Sequence, residues 1–328
     1  MTVARFVGPV IVALFGLHAV ARAQGAAPSQ LMAEASKKLA ARDYSGCVEA
    51  LNAMLNVEAP TPDAYVMRGR CAAGQDDHQA AIADYGRALA FNARAVRALY
   101  YRAVSRSQLA QFAEALEDFG SALAIDSSFA EAYGGRAGTR RLVGDTAGAL
   151  EDLDQAVRLQ PGNPALYHLR GCLLYDNHAW DLALRDFREA VARDPDGQPL
   201  SRARMWLIDA RRGNRRPASR DLAEFLDRSR PRAQQAWERN ILLFLIGRRS
   251  ETDLLTSAAA SERAVTQIRR VQASFYAATM HLLNGDLDSA RQRFLQVTAS
   301  GRRSLAEYHS AQRELTQLDT AGRPTGQR

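Results

Sequence analysis

PALYHLRGCLLYDNHAWDLALRDFREAVARDPDG, residues 164–197, is the clearest of four copies of one pattern. Stepping back 34 residues at a time turns Arg170 into Arg136, Arg102 and Arg68, and Asp186 into Asp152, Asp118 and Asp84. Ala183 becomes Ala149, Ala115 and Ala81 on the same steps, and Ala190 becomes Ala156, Ala122 and Ala88. A period of this length is one helix-turn-helix unit that cannot bury its own apolar face and must stack on copies of itself. An all-α chain of stacked helical hairpins is the expectation.

Within each copy an aromatic or leucine (Tyr65, Leu99, Tyr133, Tyr167) precedes a small residue (Gly69, Ala103, Ala137, Gly171). A bulky residue follows the small one sixteen positions later (Tyr85, Phe119, Leu153, Phe187). Spacings of three and four put the apolar members of each half on one helical stripe. Turn signals such as Gly144-Asp145 separate the halves. The pattern resembles the tetratricopeptide repeat, whose small, aromatic and closing-proline positions are met by Gly171, Trp180, Ala183, Phe187, Ala190 and Pro195. That resemblance implies a right-handed superhelical solenoid with a concave groove lined by the front helix of each repeat.

The sequence divides accordingly. Residues 1–23 read as a signal peptide, 24–61 as a degenerate first repeat, and 62–197 as four regular repeats. Residues 198–270 read as basic, degenerate repeat-like helices punctuated by Gly213, Pro217 and Gly247. Residues 271–318 are a last unit, with Gly285-Asp286, Ala290 and Phe294 in phase, closed by a helix from about Ser304 that caps the open end. Residues 319–328 are a tail. The last unit, from Phe275 to Leu318, also resembles the closing part of NlpI-type lipoproteins.

The charge series, Arg68, Arg102, Arg136 and Arg170 with Asp84, Asp118, Asp152 and Asp186, admits two readings. Aligned charges could grip a ligand. The structural reading is preferred: each aspartate lies level with the arginine of its own unit and with that of the next, as Asp84 does with Arg68 and Arg102. Such a ladder fixes register more than it adds stability, because desolvation offsets much of the Coulomb gain.

Phe6 to Val20 is apolar apart from His18, and Ala21-Arg22-Ala23 is a small-x-small cleavage site. This is the pattern of a secretory signal peptide. About 15 apolar residues fall short of the roughly 20 that a membrane-spanning helix needs. A periplasmic or secreted protein cleaved near Ala23 is expected, and disulfides persist in such compartments. Cys47 and Cys71 are equidistant from the turn joining the first two units and both stand where the repeat wants a small residue. Two readings stay open, a bridge worth about 3 kcal/mol in the chain-entropy model and a pair of buried thiols acting as small hydrophobes. Cys172 has no evident mate.

The formal net charge is +7, and between Gln198 and Arg249 thirteen arginines face five acids, a surplus of eight. That segment could attract an anionic envelope polymer, a lipid surface or an acidic protein, or be the solvated face of worn repeats. An exported chain without an RNA- or DNA-binding motif excludes nucleic acid as the expected partner. No His-rich metal spacing, phosphate loop, dinucleotide fingerprint or Gly-x-Ser-x-Gly elbow is present. Neither an enzyme, a metal site nor a cofactor is expected.

The tetratricopeptide resemblance places Arg70, Arg97, Tyr100, Arg141, His168, Tyr175 and Asp176 in a peptide groove, with Tyr and Arg as the anchor types common at interfaces. Tyr100 and Tyr175 could instead pack between neighbouring units. The function expected is a non-catalytic periplasmic scaffold or adaptor that binds other envelope proteins or peptides through its concave groove. The alternative is a carrier or chaperone for an anionic polymer or lipid surface, using residues 198–249. The sequence leaves the oligomeric state open.

Overall fold

The computed structural model describes residues 28–57, 59–229, 235–260 and 263–321. Residues 1–23, read above as a signal peptide, and most of residues 319–328 lie outside the described residues. The contacts divide the chain into two compact units, one ending at Ser127 and one beginning at Ser128. The division falls inside the run of regular repeats, between the second and the third.

The first unit holds three helical hairpins: α1 (Pro28–Ala40) with α2 (Tyr44–Val57), α3 (Pro62–Gly74) with α4 (His78–Phe91), and α5 (Val96–Gln108) with α6 (Phe112–Ile125). The second unit opens with α7 (Ala130–Leu142), α8 (Thr146–Leu159), α9 (Pro164–Asp176) and α10 (Trp180–Arg193). The four regular hairpins therefore start at Pro62, Val96, Ala130 and Pro164, in unbroken 34-residue register, and the degenerate first one starts 34 residues earlier still. One extra residue then enters. α11 (Pro199–Arg211) and α12 (Arg215–Arg228) each begin 35 residues after their predecessors. α13 (Ala236–Leu245) with α14 (Glu251–Ser257), and α15 (Arg263–Leu283) with α16 (Leu287–Ala299), complete the series before the C-terminal α17 (Ala306–Ala321). No strand occurs among the described residues.

Local chemistry explains the register. The turn inside each hairpin needs one residue in the left-handed region, and Arg42, Asp76, Ala110, Gly144 and His178 take it at successive 34-residue steps, with φ between 59° and 84°. Only Gly144 does so without a Cβ penalty. Asp77 and Asp145 cap the following helices by accepting the amides of Ala80 and Gly148. Packing then fixes how closely the helices approach. A Cβ on Gly69 would lie 2.6 Å from the Tyr85 ring, and one on Gly171 would lie 2.7 Å from Phe187. The aromatics fill the space the glycines leave, and Tyr85, Phe119 and Phe187 are at most 1% exposed.

The charge ladder forms with different partners from those expected. Each aspartate, 2–3% exposed, accepts two hydrogen bonds from one guanidinium edge, Nε and Nη2, of the arginine sixteen residues before it: Arg68 with Asp84, Arg102 with Asp118, Arg136 with Asp152 and Arg170 with Asp186. The second cation is not the arginine of the next unit. Arg87 binds Asp84, Arg106 binds Asp118 and Arg140 binds Asp152. A guanidinium one helical turn away on the same hairpin is nearer than one already committed to its own aspartate. Where a rung does reach another repeat it runs backwards through the arginine, from Arg68 to Asn52 and from Arg170 to Asp154. These hydrogen bonds to carboxylates raise Arg68 and Arg136 above the ordinary arginine value, against the opposing effect of burial.

Cys47 on α2 and Cys71 on α3 are fully buried and joined by a disulfide, with Cα atoms 6.2 Å apart.

Candidate functional site

In the first unit the front helices α1, α3 and α5 frame an open cleft of about 740 Å³. Its floor includes Met32, Val66 and Met67, and Asp63, Arg97 and Tyr101 stand at its edge, joined by Arg70. The Arg70 guanidinium lies 5.1 Å from the centre of the Tyr101 ring, which itself stacks on buried Tyr85 at 5.9 Å. Arg70 and Arg97 are exposed, and neither makes an ion pair among the described residues. The combination is an exposed rim of two arginines and Asp63 over an apolar floor, with one aromatic held by its neighbours. It suits a peptide that offers both acidic and apolar side chains.

Arg70 and Arg97 were expected in the groove, and the first unit brings them to one cleft. Tyr100 was expected there too, and it points elsewhere. It is half-buried, edge-on to Phe119 at 6.0 Å and to Tyr101 at 5.1 Å. Tyr101, the next residue, supplies the aromatic surface instead. The signal for it lay in the period, because Met67 and Tyr101 are 34 residues apart and both line the cleft.

The remaining predicted groove residues belong to the second unit, where α17 covers Tyr175 and Asp176 while His168 packs against α11 and Arg141 reaches the segment before α17. Tyr175 is 3% exposed and Asp176 is 5% exposed. Ser310 of α17 donates its hydroxyl to Asp176 and accepts a 3.0 Å hydrogen bond from Arg204 of α11. Glu314 of α17 is paired with Arg211, also of α11. Gln317 donates to His178, and Arg141 reaches the Ser304 carbonyl at 3.2 Å. The closing helix therefore lies along front helices of the second unit, rather than only capping the end of the stack. His168 is half-buried, with Nδ1 2.8 Å from the Ser201 hydroxyl and Nε2 3.5 Å from the Cys172 sulfur. Burial, reinforced by Arg204 and Arg141, pushes it down to about 4, so it is neutral at physiological pH. Burial pushes the Cys172 thiol up to about 12, which makes it an inert small hydrophobe.

Sequence reasoning did not single out Arg204, the most buried cation among the described residues, only 1% exposed and lying between the rings of Tyr175 (4.8 Å) and Phe275 (4.5 Å). Its neighbours in the basic segment are also engaged. Arg212 pairs with Asp181, Arg248 pairs with Asp227, Arg215 bonds Asn284, and Arg239 bonds Ser229 and the Leu226 carbonyl. Counted with Arg204 and Arg211, and with Arg202 on the Pro195 carbonyl, Arg228 on Glu224 and Arg249 on the Asp253 carbonyl, nine of the thirteen arginines between Gln198 and Arg249 have partners among the described residues. Among the described residues no group of three His, Cys, Asp or Glu side chains is placed to hold a metal ion. No described helix is long and apolar enough to cross a membrane.

The family model of the tetratricopeptide repeat matches residues 62–94, the hairpin α3/α4. Among solved structures, a tetratricopeptide repeat protein from Parabacteroides merdae aligns with a TM-score of 0.51 at 17% identity, over 80% of this chain and 98% of that one. PilF of Pseudomonas aeruginosa aligns with a TM-score of 0.51 at 16% identity, over 62% of this chain and 93% of that one. MamA aligns over 48% of this chain and 92% of that one, with a TM-score of 0.45 at 18% identity. The first two show a shared fold. No curated protein matches the sequence.

Proposed function

We propose that this tetratricopeptide-repeat protein is a non-catalytic scaffold of the cell envelope that gathers protein partners through the cleft of its first unit. Stacked helical hairpins offer extended concave surfaces, and such surfaces are the usual binding sites of repeat proteins. The observation that carries the reading is the exposed pair Arg70 and Arg97 around Tyr101, free of ion pairs among the described residues and set over an apolar floor. Export draws support from the apolar run Phe6 to Val20 with its small-x-small site, and from the disulfide between Cys47 and Cys71, a bond that survives in oxidising compartments.

The test compares the chain from Gln24 with its Arg97→Ala/Tyr101→Ala variant as baits in envelope extract. A protein retained by the first and lost from the second supports the cleft. Identical retained sets would defeat it. The alternative, binding of an anionic polymer or lipid surface by residues 198–249, predicts a steep loss of binding with salt. The internal pairing of Arg204, Arg211, Arg212 and Arg248 weighs against it.

A further inference from the structure

The second unit already contains a helix seated on its front helices, and that helix makes contact in an unusual way. Glu307, Ser310 and Glu314 follow one another at steps of three and four, so they form one stripe of α17. All three are at most 4% exposed. A surface helix ordinarily turns such a stripe to water and its apolar stripe to the core. Here α17 buries both. Ala311 joins the core with Leu315 and Leu318 packed against it, while the polar stripe faces Asp176, Arg204 and Arg211.

The polar side of this contact is incompletely matched. Ser310 satisfies Asp176 Oδ1 and Arg204 Nη1, but Asp176 Oδ2 and Arg204 Nη2 are buried without a hydrogen-bond partner among the described residues. A single hydroxyl cannot serve both a carboxylate and a guanidinium fully. Leaving a buried donor and a buried acceptor unmet carries a penalty that a better-matched occupant would remove. A carboxamide at the same position offers a carbonyl to Arg204 and two N–H donors to Asp176.

We propose that the groove of the second unit is a helix-binding site which α17 occupies in cis, and that its partner is a helix from another protein carrying Glu-x-x-Gln-x-x-x-Glu, or Asn for Gln, along one face. The acidic ends of that stripe meet Arg211 and the cationic side of the groove, and the central amide completes the Asp176 and Arg204 pair. On release the buried polar stripe of α17 regains hydration, which offsets part of the cost of exposing Ala311, Leu315 and Leu318, and the short segment 300–305 keeps the helix tethered at high effective concentration until a better ligand arrives. This site is separate from the cleft of the first unit, so its failure leaves that reading untouched.

The probe is a fluorescein-labelled synthetic peptide of residues 304–321 carrying Ser310→Gln, titrated by anisotropy into the full chain and into a Glu307→Ala/Glu314→Ala chain whose own α17 is weakened. The weakened chain should bind the peptide at least ~10-fold more tightly than the unaltered chain, because it lacks an effective competitor in cis. On the weakened chain the same peptide with Ser310 retained should bind at least ~5-fold less tightly, the loss of one well-made polar contact. A folded variant that binds no better than the unaltered chain, or no preference between the two peptides, overturns the proposal. If the double variant does not fold, hydrogen exchange on the unaltered chain decides. Amides of α17 exchanging at least ~10-fold faster than those of α15 support an occupant that opens by itself, and equal rates overturn it.

Discussion

Arg102 places Nε 2.9 Å and Nη2 2.7 Å from the two carboxylate oxygens of Asp118, and Arg106 adds a third contact at 2.6 Å from the next turn of the same helix. The carboxylate is 5% exposed while the two arginine side chains are 21–22% exposed, so the anion is the buried member that two cations compensate. Removing it leaves both guanidiniums facing each other in a half-buried site. Asp118→Ala should therefore destabilise the first unit by about 3–5 kcal/mol, the cost of breaking a buried pair by deleting one partner. Urea denaturation followed by far-UV circular dichroism measures it, and an unchanged midpoint would remove the ladder from the account of stability.

Ala110 holds a φ of 60°, at the position where the next repeat has Gly144 at 84°. A Cβ in this region costs roughly 1 kcal/mol per residue relative to glycine. Ala110→Gly should raise the stability of the α5/α6 hairpin by about 0.5–1 kcal/mol, after the entropy that glycine adds to the unfolded chain is counted. The reciprocal Gly144→Ala should lower the stability of α7/α8 by a similar amount. Paired thermal melts of the two variants check the sign in both directions.

The disulfide of Cys47 and Cys71 closes a segment with a sequence separation of 24. Constraining the unfolded chain over that length is worth about 3 kcal/mol in the chain-entropy model. Adding a thiol reductant should lower the melting temperature of the oxidised chain, and the Cys47→Ala/Cys71→Ala variant should melt low with or without it. Thiol titration of the denatured, unreduced chain should find the single free thiol of Cys172. Three free thiols would contradict the bridge.

His168 and His309 are both pushed down to about 4, first by burial and then by nearby arginines. The unfolded chain takes up a proton on each near pH 6.5 while the folded chain does not, so the unfolded state binds more protons in between. Both groups therefore remove stability as pH falls from about 6.5 towards about 4 and have no effect above that window. His168→Gln, which keeps a polar partner for the Ser201 hydroxyl, should flatten the dependence of melting temperature on pH across that interval. A slope identical to that of the unaltered chain would show that His168 titrates normally.

The local rules of the fold were legible because repetition is a nearest-neighbour property. Each 34-residue step repeats a small residue, a bulky apolar one, a turn and the same ion pair, so the positions of α3 to α10 follow from the period and the pairing of Arg68 with Asp84 follows from antiparallel helices. The second cation on each aspartate was not legible. Arg106 and Arg140 hold one phase of the repeat but Arg87 holds another, and only side-chain reach selects them over the arginine of the next unit. Tyr101 rather than Tyr100 faces the cleft because one helical residue is a rotation of about 100°, finer than a resemblance to a repeat pattern resolves.

The sequence by itself determined the repeating unit, its two helices, the turn between them and the closeness of Cys47 to Cys71. All of these follow from contacts within a hairpin or between adjacent ones. Tertiary structure alone decided the fate of the second unit's groove. Nothing in the period marks Glu307, Ser310 and Glu314 as buried, since polar residues on a helix ordinarily face water. Only the fold brings Ser310 to Asp176, 134 residues away, and to the buried guanidinium of Arg204. No period carries that contact, because it depends on where α17 lies after the repeats of the second unit have been stacked.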